Sequence, residues 1–155
     1  RTVSMINKYF NGVIPSYQGK VTPFDGDLES VMKMTIVNYE NLMDDLHITE
    51  AIVAVNELVN RANKYIDETT PWALAKDESK VKDLASVMNH LANAIFVTAS
   101  DKLFAQLGLG EVKYEDINNI NFVGNQTVNK GDQLFPRLDA AVEVEFIQNL
   151  MGGNK

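Results

Sequence analysis

Apolar residues recur at Ile48, Ala51, Ile52, Val55, Leu58, Val59, Ala62 and Ile66, the i, i+3, i+4, i+7 spacing of one helix face. Thr49 is the candidate N-cap, and Glu50 in the first turn suits the positive end of the helix dipole. A second stripe runs Val81, Leu84, Ala85, Met88, Leu91, Ala92, Ile95 and Ala99, opened by Ser79 as a candidate cap behind Asp77 and Glu78. Leu28, Val31, Met32, Tyr39, Leu42, Met43 and Leu46 give a looser helix over 28–46, and Val3, Ile6, Tyr9 and Phe10 read as the end of a helix that begins upstream. A chain opening on Arg1 within such a helix is expected to be a piece of something larger. Four amphipathic helices predict an all-α, antiparallel helix bundle.

Breakers separate these helices. Asn11-Gly12 and Pro15 end the first, Pro23 and Asp25-Gly26 precede the second, and Pro71 suits the first position of a short turn running through Lys76. From Gly108 the helical period is lost among Asn118, Asn119, Asn121, Gly124, Asn125 and Gly131. The expected organisation is a helical domain over 1–108 and an extended, loop-rich tail over 109–155, closed by a short helix within 138–151.

Composition narrows the class. With 155 residues, 45% of them hydrophobic, and a mean hydropathy of −0.15, the chain fits one soluble domain. The absence of cysteine excludes disulfides, thiolate zinc sites, iron–sulfur clusters and a cysteine nucleophile, and suits a reducing compartment such as the cytoplasm. No apolar run spans a membrane and no signal-peptide core opens the chain, so no membrane partner is expected. The net charge of −7 speaks against broad electrostatic capture of nucleic acid, and no DNA partner is expected. That charge is uneven: residues 27–60 carry seven acids against Lys33, while 1–26 and 61–82 are slightly basic.

Candidate catalytic residues are scarce. His47 and His90 lack partners at metal-ligand spacing and are expected at the surface or at helix ends. Asp44-Asp45, Asp67-Glu68 and Asp77-Glu78 fall at helix ends, where such charge is ordinary. Gly108-Leu109-Gly110 follows a helix, so its amides do not converge on a phosphate. No catalytic centre and no metal or cofactor site is expected in this chain.

The informative stretch is Arg61 to Lys76, where the sole tryptophan follows Pro71 with Arg61, Asn63, Lys64 and Lys76 close in sequence. A flat ring beside amides and cations is what stacking on an unpaired base requires. The same ring can cap the core of the bundle, and physics alone favours that use.

Asn63-Lys-Tyr-Ile-Asp-Glu-x-x-Pro-Trp-x-Leu-Ala-Lys76, with Arg1-Thr-Val-Ser-Met-Ile-Asn-Lys-Tyr-Phe10 before it and Leu103-Phe-Ala-Gln-Leu-Gly108 after, resembles the anticodon-binding domain of bacterial methionyl-tRNA synthetases. The resemblance covers roughly 1–108, and Leu134-Phe-Pro-Arg137 resembles the family's ending. It implies an enzyme joining methionine to its tRNA with ATP and magnesium, whose catalytic domain lies outside this chain. The implied partners are that catalytic domain and methionine tRNA, with its CAU anticodon loop. Trp72 matches the tryptophan that stacks on the first anticodon base. Arg1 matches the arginine that reads bases, with Asn63 among the neighbouring amides and Lys8 at a basic position beside the anticodon. Asp67 matches an acid that repels wrong anticodons, and Lys64 and Lys76 are candidate phosphate contacts.

Two departures stand out. Thr98-Ala-Ser100 runs directly into Asp101, where the family has a longer apolar connection, and the signatures His-Ile-Gly-His and Lys-Met-Ser-Lys-Ser occur nowhere in the chain. Two other readings are the corresponding domain of another class I synthetase for an apolar amino acid, and a helical protein-interaction module. In the latter Met32, Met34, Met43 and Met88 would line an exposed groove, although such stripes more commonly form core.

Overall fold

The computed structural model describes residues 1–98, 101–129, 131 and 144, with side chains omitted at 101–103. The regular elements among them are all helical: α1 (Thr2–Phe10), α2 (Asp25–Asp44), α3 (Ile48–Thr69), α4 (Pro71–Leu74), α5 (Val81–Thr98) and α6 (Asp101–Gln106). Short 3-10 turns lie at Glu78–Lys80 and Tyr114–Asn118. The all-α bundle is therefore as expected. The closing helix expected within 138–151 and the Leu134–Arg137 motif lie, Val144 aside, outside the described residues.

α5 is the axis around which the others pack. Every residue from Leu84 to Ala94 is buried, and α1, α2, α3, α4 and α6 all contact this helix. Leu58 of α3, Met32 of α2 and Ile6 of α1 share one buried cluster with Met88 and Leu91 of α5. Full burial of each such side chain contributes ~1.5–3 kcal/mol. Helix ends differ from the sequence expectation in two places. α3 begins at Ile48 after His47, not behind Thr49, and Asp77, not Ser79, caps the turn into α5 by accepting the Ser79 amide at 2.9 Å.

Four polar residues interrupt the apolar surface of α5, and each is satisfied. Ser86 Oγ donates to Asp25 Oδ2 at 2.8 Å, and Tyr65 Oη donates to Asp25 Oδ1 at 2.7 Å. His90 is 1% exposed, which overturns its expected surface position. One of its ring nitrogens lies 2.8 Å from the Ser86 carbonyl oxygen and the other 3.0 Å from Glu29 Oε1, which also accepts from Tyr17 Oη at 2.8 Å. Burial pushes Asp25 and Glu29 up, but hydrogen bonds outweigh it and hold both carboxyls below their usual range. The Tyr17 hydroxyl, bonded to Glu29, is pushed up to about 12.

Asn89 and Asn93 dock the segment after α6. The Asn93 side chain donates to the Val123 carbonyl and accepts its amide, both at 2.9 Å, so one amide group replaces a strand partner. Ile120, Val123 and Val128 are buried as a result. Val13 and Thr127 form an antiparallel bridge, flanked by bonds from the Ile14 amide to the Gln126 carbonyl and from the Val128 amide to the Gly12 carbonyl. Gly108, at φ +71°, is required there, because a Cβ would stand 2.0 Å from the Thr127 carbonyl oxygen.

Candidate functional site

The end of α3 is built to hold its last turn still. Arg61 bonds to Asp27 through Nε, places Nη1 3.1 Å from Glu68 Oε2 and sits over the Tyr65 ring at 5.9 Å. Its side chain is only 11% exposed, so it is a strut between α2 and α3 and not one of the free cations near the tryptophan. Thr70 then takes a left-handed backbone at φ 41°, an unusual state for a β-branched residue. Its carbonyl accepts from the Ala73 and Leu74 amides at 2.8 and 3.2 Å, and Pro71 occupies the first position of α4 as expected.

This geometry puts Trp72 on a rigid projecting turn. The residue is 45% exposed, so it does not serve as an enclosed cap on the core. Beside the turn, a cleft of about 280 Å³ separates α1 from the α4 region, lined by Lys8, Tyr9 and Phe10 on one wall and by Leu74, Asp77 and Glu78 on the other. Hydrogen bonds from the Ser79 side chain and amide hold the exposed Asp77 carboxyl below its usual range.

The structure brings Lys8 to one cleft with Leu74, at the end of the short helix that Pro71 and Trp72 open, while the Trp72 ring itself does not line it. Asn63, Lys64 and Asp67 are exposed on the last two turns of α3, immediately before Trp72. Lys64 Nζ lies 3.6 Å from Glu68 Oε1, so it is already paired, while Lys76 is exposed and makes no ion pair among the described residues. Arg1 is exposed at the opposite end of α1 from the cleft, on the same face as Lys8 seven residues on.

Sequence reasoning missed the cleft and the Arg61 strut. The i, i+7 spacing of Arg61 and Glu68 was an available signal, but Asp27 is reached only through the fold. The four methionines do not form one groove: Met32 and Met88 are fully buried, while Met34 and Met43 are exposed. Among the described residues no three acidic or histidine side chains converge as a metal site, and no helix is long and apolar enough to cross a membrane.

Residues 14–116, two thirds of the chain, match the family described as the anticodon binding domain of methionyl tRNA ligase. The chain belongs to that family. The matched residues include Asn63, Lys64, Asp67, Trp72 and Lys76, with Arg1 and Lys8 preceding them. This anticodon-binding domain is 45% identical to methionine-tRNA ligase of Halalkalibacterium halodurans over 168 residues, covering 100% of the chain and 26% of the relative. It is 46% identical to that of Listeria monocytogenes and 42% to that of Bacillus subtilis, covering 99% of the chain in each case and 26% and 25% of those relatives. The chain thus spans about a quarter of the curated relatives it matches. Its fold is shared with the apo form of Mycobacterium tuberculosis methionyl-tRNA synthetase, at a TM-score of 0.74 and 20% identity, over 90% of this chain and 30% of that one.

Proposed function

We propose that this chain is the anticodon-reading part of a methionine-tRNA ligase that uses ATP to join methionine to its tRNA in the cytoplasm. The observation that carries the reading is Trp72, 45% exposed on a turn fixed by Thr70 and Pro71. The anticodon bases CAU are unstacked in the loop, and the first lies on the Trp72 ring. Arg1 and Asn63 read base edges, and Lys8 and Lys76 hold phosphates. Lys64 joins them by leaving Glu68, and the Asp67 carboxylate repels anticodons that set phosphate or carbonyl oxygen against it. ATP and magnesium serve the ligase as a whole, through its catalytic region outside this chain.

Titration with a CAU anticodon stem-loop at stated low salt, read by the fluorescence of the sole tryptophan, tests this. Selective quenching that is lost when the first base is changed is the expected result. Equal or absent quenching with both loops, in a folded chain, rejects it. Charging assays on a full-length ligase with each apolar amino acid separate methionine from the other class I enzymes.

A further inference from the structure

The other end of α3 presents a different surface. At the turn between α2 and α3, Leu46 is 80% exposed, Ile48 and Ile52 are each 55% exposed, and Val53 is 51% exposed. Ile48 and Ile52 lie one turn apart on the same side of the helix. So many large apolar side chains within one short hairpin tip exceed the single exposed residues of an ordinary surface.

The backbone adds a second, independent observation. The His47 amide bonds the Leu42 carbonyl at 2.7 Å and the Leu46 amide bonds the Met43 carbonyl at 3.1 Å. This pair of bonds is the Schellman ending of a helix, which puts Leu46 at the left-handed position, with φ 61°. Glycine fills that position at no steric cost, whereas a leucine is strained there. The leucine side chain returns nothing to the hairpin, since it stands in solvent. Backbone strain of this kind clusters at functional sites, so the exposed Leu46 marks the tip as a place with a role.

Charge and distance identify what covers it. Glu40, Asp44, Asp45, Glu50 and Glu57 flank the tip in sequence, within residues 27–60, whose only lysine or arginine is Lys33. RNA is repelled there, and the 22 residues of α3 hold the tip roughly 33 Å from the Trp72 turn. The relatives are about four times as long as this chain, so most of a ligase polypeptide lies outside it. A cavity of about 380 Å³ between Tyr39, Val55, Phe96 and Tyr114 leaves the same end of the bundle loosely filled.

We propose that the α2–α3 tip, centred on Leu46, Ile48 and Ile52, is the seat on which the remaining ligase polypeptide docks, through an apolar patch ringed by basic groups. The proposal rests on the reading of this chain as one portion of a longer ligase.

Backbone hydrogen exchange over 43–53, compared between this chain and the full-length ligase, is the test. Exchange at least about tenfold slower in the full-length protein is expected. Leu46→Gly sharpens it by a reversal of sign. The substitution relieves strain and raises the melting midpoint of this chain by about 2–4 °C, yet speeds tip exchange in the full-length ligase. Equal exchange in both proteins overturns the proposal, as does protection that appears only when this chain is concentrated, which would assign the tip to a second copy. Either result leaves the stem-loop titration untouched. Slowed exchange alongside a failed titration would instead reject anticodon reading and keep the docking surface.

Discussion

Both ends of α3 are closed by a non-glycine residue in the left-handed region, Leu46 at φ 61° and Thr70 at φ 41°, yet their surroundings differ. Around Thr70 the chain supplies its own support: buried Pro71, two amides on the Thr70 carbonyl, and Arg61 tying α3 to α2. Around Leu46 two backbone bonds hold the turn, and the side chain rests on nothing. The same backbone state therefore has two meanings. Strain supported from within fixes a ring in place, whereas strain left unsupported points outward to a missing surface.

The contrast breaks most completely if the polar knot joining α2, α3 and α5 is removed. Asp25→Ala strands the Tyr65 and Ser86 hydroxyls and two amides, and is expected to cost ~3–5 kcal/mol in urea unfolding. Acid acts on the same knot. Asp25 and Glu29 have folded values below their unfolded ones, so their stabilisation is present above about pH 4.5 and is lost as pH falls further. Glu29→Gln should flatten that acid limb in urea midpoints measured across pH.

Arg61→Ala removes the strut from the Trp72 end alone and is expected to cost ~1.5–3 kcal/mol, read by the same unfolding assay. Trp72→Ala should leave stability nearly unchanged but weaken stem-loop binding by ~1–3 kcal/mol, measured by anisotropy of a labelled loop. The smallest effect is that of Lys64→Met, which loses an exposed pair of ~0.5 kcal/mol or less. If Lys64 holds a phosphate, that variant also lowers the salt slope of binding by about one.

Periodicity made the long helices legible, because α3 and α5 bury stripes that recur at helical spacing over many turns. Pro71 made the short turn that carries Trp72 legible, but not the exposure of the ring, because a large aromatic beside a bundle is more readily read as core. Helix starts were less so: the Leu46 turn fixes α3 at Ile48 whatever Thr49 prefers, and Asp77 reaches the Ser79 amide first. His90 escaped because its partners, Glu29 and Tyr17, sit far away in sequence, and a polar residue on an apolar stripe does not announce what it bonds. The docking of 109–129 through Asn89 and Asn93 was hidden for the same reason, although two asparagines one turn apart on a buried face were a visible clue.

The bridge between Val13 and Thr127 has a consequence for the order of folding. It closes a loop of more than a hundred residues, and its entropy cost must be met before its few bonds return anything. The α2–α3 hairpin, by contrast, joins neighbours in sequence and forms cheaply. The hairpin and α5 are therefore expected to make up the folding nucleus, with the clasp closing afterwards. Gly108→Ala, which crowds Thr127, should accordingly speed unfolding and leave the folding rate nearly unchanged, a φ-value near zero in stopped-flow kinetics.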